Sequence, residues 1–158
     1  MAKEEGLSIY IKRGGVFKDI KGKTPGEVLT DLVGHLPIMP SIPADDLLKA
    51  VLEREALMPT GIGKGIALPH PRNPVIPPEA EQFTVLAYLE KPVDWNALDG
   101  EKVDTLFLMI SSSAKQHLYT LTELNFLCQM EDFCRLLKDR ADFDSLIAFI
   151  KEAEKQWK

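Results

Sequence analysis

Several features that would assign a chain to a particular class are scarce in this sequence. It contains only two cysteines, Cys128 and Cys134, and their separation fits neither a C-x-x-C redox pair nor a zinc finger. No apolar run approaches the roughly 18 residues that a membrane-spanning helix needs, and the first residues lack the apolar segment of a signal peptide. We therefore expect two reduced core thiols in a cytoplasmic protein without membrane insertion.

Positive charge is also in the minority. Nineteen lysines and arginines stand against 24 aspartates and glutamates, which gives a net charge of −5 at pH 7. This balance argues against nonspecific binding of nucleic acid or of an anionic membrane surface. Hydrophobic residues make up 45% and charged residues 27%, as in an average globular protein. The 158 residues fit one folded domain, residues 1–158.

The first third of the sequence predicts two helices before residue 58. Residues Leu7–Ile11 and Val16–Ile20 alternate weakly around two glycines and are interpreted as a short strand or an irregular lead-in. The segment Thr24–Glu27 combines a capping hydroxyl, a proline and a glutamate three residues after the threonine, which is a capping-box helix start. A second helix is predicted over the apolar stripe between Leu47 and Leu57.

The sequence predicts strands in the middle of the chain and helices towards its end. Gly61–Gly65 is interpreted as a flexible loop that feeds a short buried strand. Strands are predicted at 66–68, 83–89, 93–95 and 103–110, and helical periodicity returns after residue 113, with a last helix at about Phe143–Trp157. Helices that flank a block of strands favour an α/β or α+β fold with the sheet in the middle.

Two of the three histidines lie where chemistry is favoured. His70 follows the glycine-rich segment and is fixed between two prolines at the end of a strand, and glycines allow a ligand to approach the backbone. His117 lies four residues after Ser113, in the first turn of a predicted helix, where N–H groups and the helix dipole favour an anion. An anion held between two histidines indicates phosphate. The alternative is a hydrogen-bonded loop residue and a half-buried helix residue, and His35 is interpreted only as a helix-end charge.

Other chemistries have weaker support. The serines at 111–113 could form a hydrolase triad with a histidine, but the G-x-S-x-G motif is absent. Two histidines and a carboxylate could bind zinc, but no H-E-x-x-H motif occurs, so we expect no metal and no other cofactor. The glycine-rich segment lacks the ending of a P-loop and precedes a strand, which excludes nucleotide binding by that route.

The glycine-rich segment and its surroundings resemble a known family. Arg54-Glu55 followed by Thr60-Gly61-Ile62-Gly63-x-Gly65-Ile66-Ala67-Leu68-Pro69-His70 resembles the active-site signature of the fructose and mannitol type IIA domains of the bacterial sugar phosphotransferase system. Asp99-Gly100-x-x-Val103 and His117-Leu118-x-x-Leu121 resemble later blocks of the same family, and the resemblance covers a core of about 22–154. It implies an α/β fold in which a mixed central sheet carries helices on both faces.

The resemblance also implies a phosphoryl relay. His70 would accept a phosphoryl group from an HPr-like phosphocarrier and pass it to a IIB domain, with His117 as the second active-site histidine and Arg54 balancing the phosphate charge. Donors to the phosphate are expected from Thr60, Gly61 and Gly63.

Within that family the nitrogen-regulatory IIA proteins are single domains, so we expect a regulatory protein of this type that acts on a protein partner. The alternatives are a separate sugar IIA component, and a binding module that no longer transfers phosphate.

Overall fold

The computed structural model describes residues 6–37, 42–77 and 80–156, and in this part of the chain a five-stranded mixed sheet separates two helical layers. The strands are β1 Val16–Ile20, β2 Gly61–Gly63, β3 Ile66–Ala67, β4 Phe83–Val93 and β5 Val103–Ile110. Their order in the sheet is β1-β4-β5-β3-β2. The pairs β1–β4 and β3–β5 are parallel, whereas β4–β5 and β2–β3 are antiparallel.

The central strands β4 and β5 are buried on both faces, which explains their almost continuous apolar sequence. Successive side chains of a strand point to opposite faces, so each strand supplies two separate cores. In β4, Val85 and Ala87 pack into one core, whereas Leu86 and Tyr88 pack into the other.

Helices cover both faces. Helices α2 Pro25–His35 and α3 Ala44–Leu57 pack on one face through residues such as Leu29 and Val51. The other face carries α1 Leu7–Gly14, α4 Ala114–Cys128, α5 Glu131–Lys138 and α6 Phe143–Glu154. The predicted fold class, a mixed central sheet with helices on both faces, is confirmed.

Local sequence signals explain several helix ends. The hydroxyl of Thr24 accepts a hydrogen bond from the Glu27 N–H (3.2 Å), as the capping box predicts. The Glu27 carboxylate reaches one residue further back than in an ideal capping box and accepts from the Lys23 N–H (2.9 Å). The predicted last helix ends at Glu154, and Trp157 lies outside the described residues. None of the described helices combines the length and the apolar character needed to span a bilayer.

The interpretation of Leu7–Ile11 as a strand or lead-in is wrong, because these residues belong to helix α1, and the described residues before 58 therefore contain three helices. Leu7 and Ile11 are fully buried and belong to the hydrophobic core. The N-cap residue, Gly6, has no side chain to cap the helix. Carboxylates from distant parts of the chain accept the first N–H groups instead, and local periodicity cannot reveal such partners.

Two carboxylic acids cap helix α1, and we call Glu123 and Glu154 the acid pair. Glu123 accepts from the Leu7 N–H (3.1 Å), and Glu154 accepts from the Ser8 N–H (3.2 Å) and hydroxyl (2.7 Å). A Cβ at Gly6 would collide with the Glu154 carboxylate. Glu123 is only 1% exposed, and burial, followed by the hydrogen bond and charge of Glu154, raises the pKa of Glu123 to about 8.

Among the described residues, Glu123 Oε2 faces no hydrogen-bond donor. A proton on this carboxyl supplies the missing donor to Glu154, so the acid pair holds one proton at neutral pH.

Two further expectations were wrong. Gly61–Gly65 is an ordered hairpin: Gly61 pairs with Ala67 and Gly63 with Ile66, and Lys64 and Gly65 form its turn with positive φ angles of 59° and 79°. The piece predicted at 93–95 is not separate, because β4 continues to Val93.

Candidate functional site

His70 lies just beyond the carboxyl end of β3. The Leu68 N–H donates to the Thr60 carbonyl, and the Met109 N–H donates to the Pro69 carbonyl, each at 3.0 Å. These bonds extend the pairing of β3 with its neighbours by two residues, so the backbone leading to His70 is fixed on both sides. The imidazole is half-buried at this edge of the sheet.

His117 reaches the same edge from the helix that follows β5. Ser113 is the N-cap of α4 and its hydroxyl accepts from the Gln116 N–H at 3.1 Å, while the His117 N–H donates to the Ser113 carbonyl at 3.0 Å. Because β3 and β5 are parallel, their carboxyl ends meet at one edge. The two imidazole rings accordingly lie with centroids 4.3 Å apart and planes tilted by 41°. We call His70 and His117 the histidine pair.

The tautomer of His70 follows from one hydrogen bond. Its Nδ1 lies 2.8 Å from the Leu68 carbonyl oxygen. A carbonyl can only accept, so Nδ1 carries the proton, and in the neutral ring Nε2 holds a free lone pair. Burial and the charge of Arg54 lower the pKa of His70, and the bond to Leu68 opposes them only in part. His70 is therefore a neutral base at pH 7.

His117 is also neutral. Burial first, then the proximity of His70 and of Arg54, lower the pKa of His117 to about 4. Two neutral imidazoles at this distance avoid the repulsion that two imidazolium ions would suffer. A neutral His117 still keeps one N–H to donate to a nearby anion.

Arg54 supplies positive charge beside the histidine pair. It lies in the last turn of α3, is half-buried, and donates from Nη1 to the Met58 carbonyl at 2.7 Å. Its positive charge lowers the pKa of His70 and of His117, so it acts on both rings. A guanidinium has five N–H donors, so the bond to Met58 leaves others for an anion. The structure thus brings His70 and His117 together, and the charge of Arg54 acts on both rings. The roles that the resemblance implies for these three residues stay predictions.

Thr60 has a different place from the one expected. Its N–H donates to Glu55 Oε2 (2.9 Å) and its hydroxyl donates to Glu55 Oε1 (2.6 Å). The buried Trp95 also donates from Nε1 to the Thr60 hydroxyl oxygen (3.3 Å). Both donors of Thr60 are thus engaged, so Thr60 has none to offer to a phosphate in this arrangement.

The Glu55–Thr60–Trp95 contacts were missed by the sequence reasoning. They join the end of α3 to β2, and they thereby fix the segment that carries Arg54 relative to the strand that leads to His70. Glu55 stands next to Arg54 in the family signature, which was the available signal for it. Nothing in the local sequence pointed to Trp95.

The structure gives a reason for glycine at both positions, Gly61 and Gly63, that were expected to bind phosphate. A Cβ at Gly61 would lie 3.1 Å from the Cβ of Ala97, so a glycine allows this close approach. Gly63 has a φ of 95° and lies beside Asp99. It pairs with Ile66, and Ile66 precedes His70 by four residues. At about 3.3 Å per extended residue, Gly63 lies roughly 13 Å along the hairpin from His70 and outside the histidine pair's surroundings.

The two cysteines take no part in the site. Both thiols are free, with Cys128 buried and Cys134 half-buried. Burial raises the pKa of Cys128 to about 12, which keeps this thiol protonated and unreactive at neutral pH.

Comparison with known proteins finds similarity over most of this chain. The family model described as "Phosphoenolpyruvate-dependent sugar phosphotransferase system, EIIA 2" matches residues 10–153. The "Nitrogen regulatory protein" of Escherichia coli (strain K12) is 31% identical over 116 residues, which cover 72% of this chain and 70% of that protein.

Two solved structures share the fold. The nitrogen regulatory protein IIA-Ntr from Neisseria meningitidis superposes with a TM-score of 0.73 at 21% identity, over 85% of this chain and 92% of that one. In the complex of enzyme IIAMTL and phosphorylated enzyme IIBMTL from Escherichia coli, the similar chain has a TM-score of 0.68 at 17% identity, over 87% and 94% of the two chains.

Proposed function

Because this chain belongs to the EIIA type 2 family of the phosphoenolpyruvate-dependent sugar phosphotransferase system, we propose that it relays a phosphoryl group through His70. The donor is an HPr-like phosphocarrier, and the protein acts as a nitrogen-type regulatory IIA. The observation that carries the proposal is the neutral His70 ring, whose Nδ1–H is held by the Leu68 carbonyl. This arrangement leaves Nε2 as the nucleophile.

The transfer step is a displacement at phosphorus. The Nε2 lone pair of His70 forms the new P–N bond, and the P–N bond to the carrier's phosphohistidine breaks with its electron pair returning to the carrier's imidazole. Phosphorylation at Nε2 places positive charge on the His70 ring. The Leu68 carbonyl, which accepts from Nδ1–H, stabilises that charge.

Two neighbours act on the phosphoryl oxygens rather than on the covalent bond. In this proposal the N–H of neutral His117 and the remaining guanidinium donors of Arg54 donate to those oxygens, where negative charge develops. Each hydrogen bond to a charged group contributes on the order of 1.5–3 kcal/mol. Their contribution needs no metal or other cofactor.

Exposed apolar side chains support a protein as the donor and acceptor. Leu118 follows His117 and is 62% exposed, while Leu57 and Met58 follow Arg54 in the chain and are 60% and 65% exposed. Met58 also accepts the Arg54 hydrogen bond through its carbonyl. Apolar groups beside a charged centre suit a macromolecular partner that must bring a phosphohistidine to the site.

The nitrogen-regulatory assignment rests on the curated relative, which bears that name at 31% identity. The alternative is a sugar IIA component that passes its phosphoryl group to a IIB domain, as the family description permits. A second alternative is a non-transferring binding module, which the intact histidine pair and Arg54 argue against.

Incubation with Enzyme I, phosphoenolpyruvate and HPr, or with their nitrogen-branch counterparts, tests the proposal. Intact-mass analysis should show one acid-labile phosphoryl group on the native chain and on His35→Ala, a matched control because His35 is an exposed helix-end residue paired with Asp31. Onward transfer to a IIB domain would favour the sugar component. Undiminished labelling of His70→Ala would overturn the assignment.

A further inference from the structure

A buried glutamine connects the start of β4 with helices α1 and α4. Gln82 is 7% exposed and immediately precedes β4. Its Nε2 donates to the Tyr10 hydroxyl oxygen (2.6 Å) and to Gln116 Oε1 (3.1 Å), and its Oε1 accepts from the Ser112 N–H (3.4 Å). Because a main-chain N–H can only donate, the contact with Ser112 defines which end of the amide is the carbonyl.

The two contacts with Ser112 and Gln116 enclose the beginning of the helix that carries His117. Ser112 precedes the N-cap of α4, and Gln116 directly precedes His117. Only residues 111–113 connect β5 to α4. The orientation of the first helical turn therefore depends on how this short connection is held.

The position of Gln82 itself is firmly set. The Arg13 Nη1 donates to the Gln82 carbonyl at 2.9 Å, and the next residue, Phe83, pairs with Ile110 at the end of β5. The side chain thus extends from the central sheet, a rigid base, to the first turn of α4. A rigid support of this kind is what a reacting group needs if it must be held within fractions of an ångström.

We propose that Gln82 is a positioning residue for His117: its amide fixes the first turn of α4 against the sheet edge and so holds the His117 ring beside that of His70. The kinetic consequence rests on the proposed phosphoryl relay. The positioning does not, because the 4.3 Å ring separation exists without any transfer.

The test compares three variants. Gln82→Met keeps the length of the side chain but removes both hydrogen-bonding functions. Gln116→Leu removes one hydrogen-bond partner of Gln82, and residue 116 is exposed. Leucine has about the same helix propensity as glutamine, so this variant remains usable if Gln82→Met does not fold. Tyr10→Phe is the matched control, because it removes the α1 contact of Gln82 and leaves its contacts with Ser112 and Gln116.

The ring ¹⁵N resonances report the pKa of each histidine, and intact mass after timed phosphotransfer reports the rate. In Gln82→Met we expect the pKa of His117 to rise by about a unit or more towards its usual value, because the ring becomes less buried. We also expect phosphorylation to slow by about 10- to 100-fold. Gln116→Leu should move both quantities in the same direction by less. Tyr10→Phe should change neither.

Unchanged histidine pKa values in both Gln82→Met and Gln116→Leu would overturn the proposal, and so would equal shifts in Tyr10→Phe, which would make Gln82 a general structural residue. If the native chain accepts no phosphoryl group, the relay fails, but the ring resonances still decide whether Gln82 positions His117.

Discussion

The histidine pair and the acid pair are two close sets of like side chains that burial affects in opposite ways. Burial lowers the pKa of His70 and His117 and raises that of Glu123, because the neutral form is favoured in each case. The neutral base keeps a lone pair, whereas the neutral acid keeps a proton. The same desolvation therefore leaves a free lone pair at the sheet edge and a protonated helix cap at α1.

Access separates the two pairs further. The histidines are half-buried and lie near exposed apolar residues such as Leu118, so a partner can reach them. The Glu123 side chain is buried, accepts from the Leu7 N–H of α1 and is hydrogen-bonded to Glu154 of α6. A buried polar group can thus serve chemistry or structure, and the exposed neighbours distinguish the two.

The largest expected effect breaks the histidine pair itself. His70→Ala should abolish acid-labile labelling, because it removes the ring whose Nδ1 is held by the Leu68 carbonyl and whose Nε2 is left free. Glu123→Gln, a change in the acid pair, should be labelled at the native rate. Intact-mass analysis of both variants decides this, and equal loss of labelling in both would mean that the two regions are not functionally separate.

The second expected effect separates the two histidines. His117→Ala should slow phosphorylation by roughly 10²-fold, the usual contribution of one positioned catalytic group, while His70 is still labelled given time. Quenched time courses measure the rate, and peptide mapping locates the label. A native rate would make His117 structural, and label lost here but retained in His70→Ala would reverse the two roles.

The third expected effect concerns how the stability of the folded chain depends on pH. The pKa of Glu123 is raised from 4.5 in the unfolded chain to about 8, so the folded state binds more protons between these values and stability falls as pH rises through that window. The lowered pKa of His117 has the opposite sign, but only between about 4 and 6.5. From pH 6.5 to 8 the raised pKa of Glu123 is the main contribution among the described groups, and we expect a loss of stability on the order of 1–2 kcal/mol.

Denaturant unfolding at several pH values measures this loss. Glu123→Gln keeps an acceptor for the Leu7 N–H and gains a permanent donor to Glu154, so its stability should stay flat over the same range. A fall as steep as that of the native chain would show that other groups cause it.

The smallest expected effect concerns the cation beside the histidine pair. Arg54→Lys retains the charge but loses the planar set of donors. Loss of one charge-assisted bond, about 1.5 kcal/mol, corresponds to roughly tenfold slower phosphorylation with an unchanged fold. Lys49→Arg, an exposed change on the same helix, is the control. Equal rates for Arg54→Lys and the native chain would place Arg54 outside the site.

Local patterns predicted what local contacts determine. The Thr24–Glu27 bond of the capping box was predicted correctly because its two residues are close in sequence. Strand β5 was predicted correctly because its continuous apolar run indicates burial, although its partner strands β3 and β4 lie elsewhere in the chain. Helix α1 was missed, because its first N–H groups depend on Glu123 and Glu154, more than 100 residues away.

The candidate site shows the same limit. Sequence placed His70 and His117 at element ends, but their 4.3 Å separation depends on β3 lying parallel to β5, which no local pattern shows. Thr60 carried suitable donors, and only the structure shows that Glu55 occupies them. Gly63 matched the signature in sequence, yet the ordered hairpin carries it away from His70.

The hydrogen bond from His70 to Leu68 also determines regiochemistry. Since Nδ1 is occupied, the proposed relay forms the Nε2-phosphoryl isomer of histidine, which isomer-specific antibodies and ³¹P–¹⁵N couplings distinguish from the Nδ1 isomer. The acceptor is a main-chain carbonyl, and the same peptide segment is held by the Leu68 N–H bond to Thr60. Replacing the Leu68 side chain therefore leaves the isomer unchanged, so selectivity at this atom is encoded in the backbone and is protected from single substitutions at position 68.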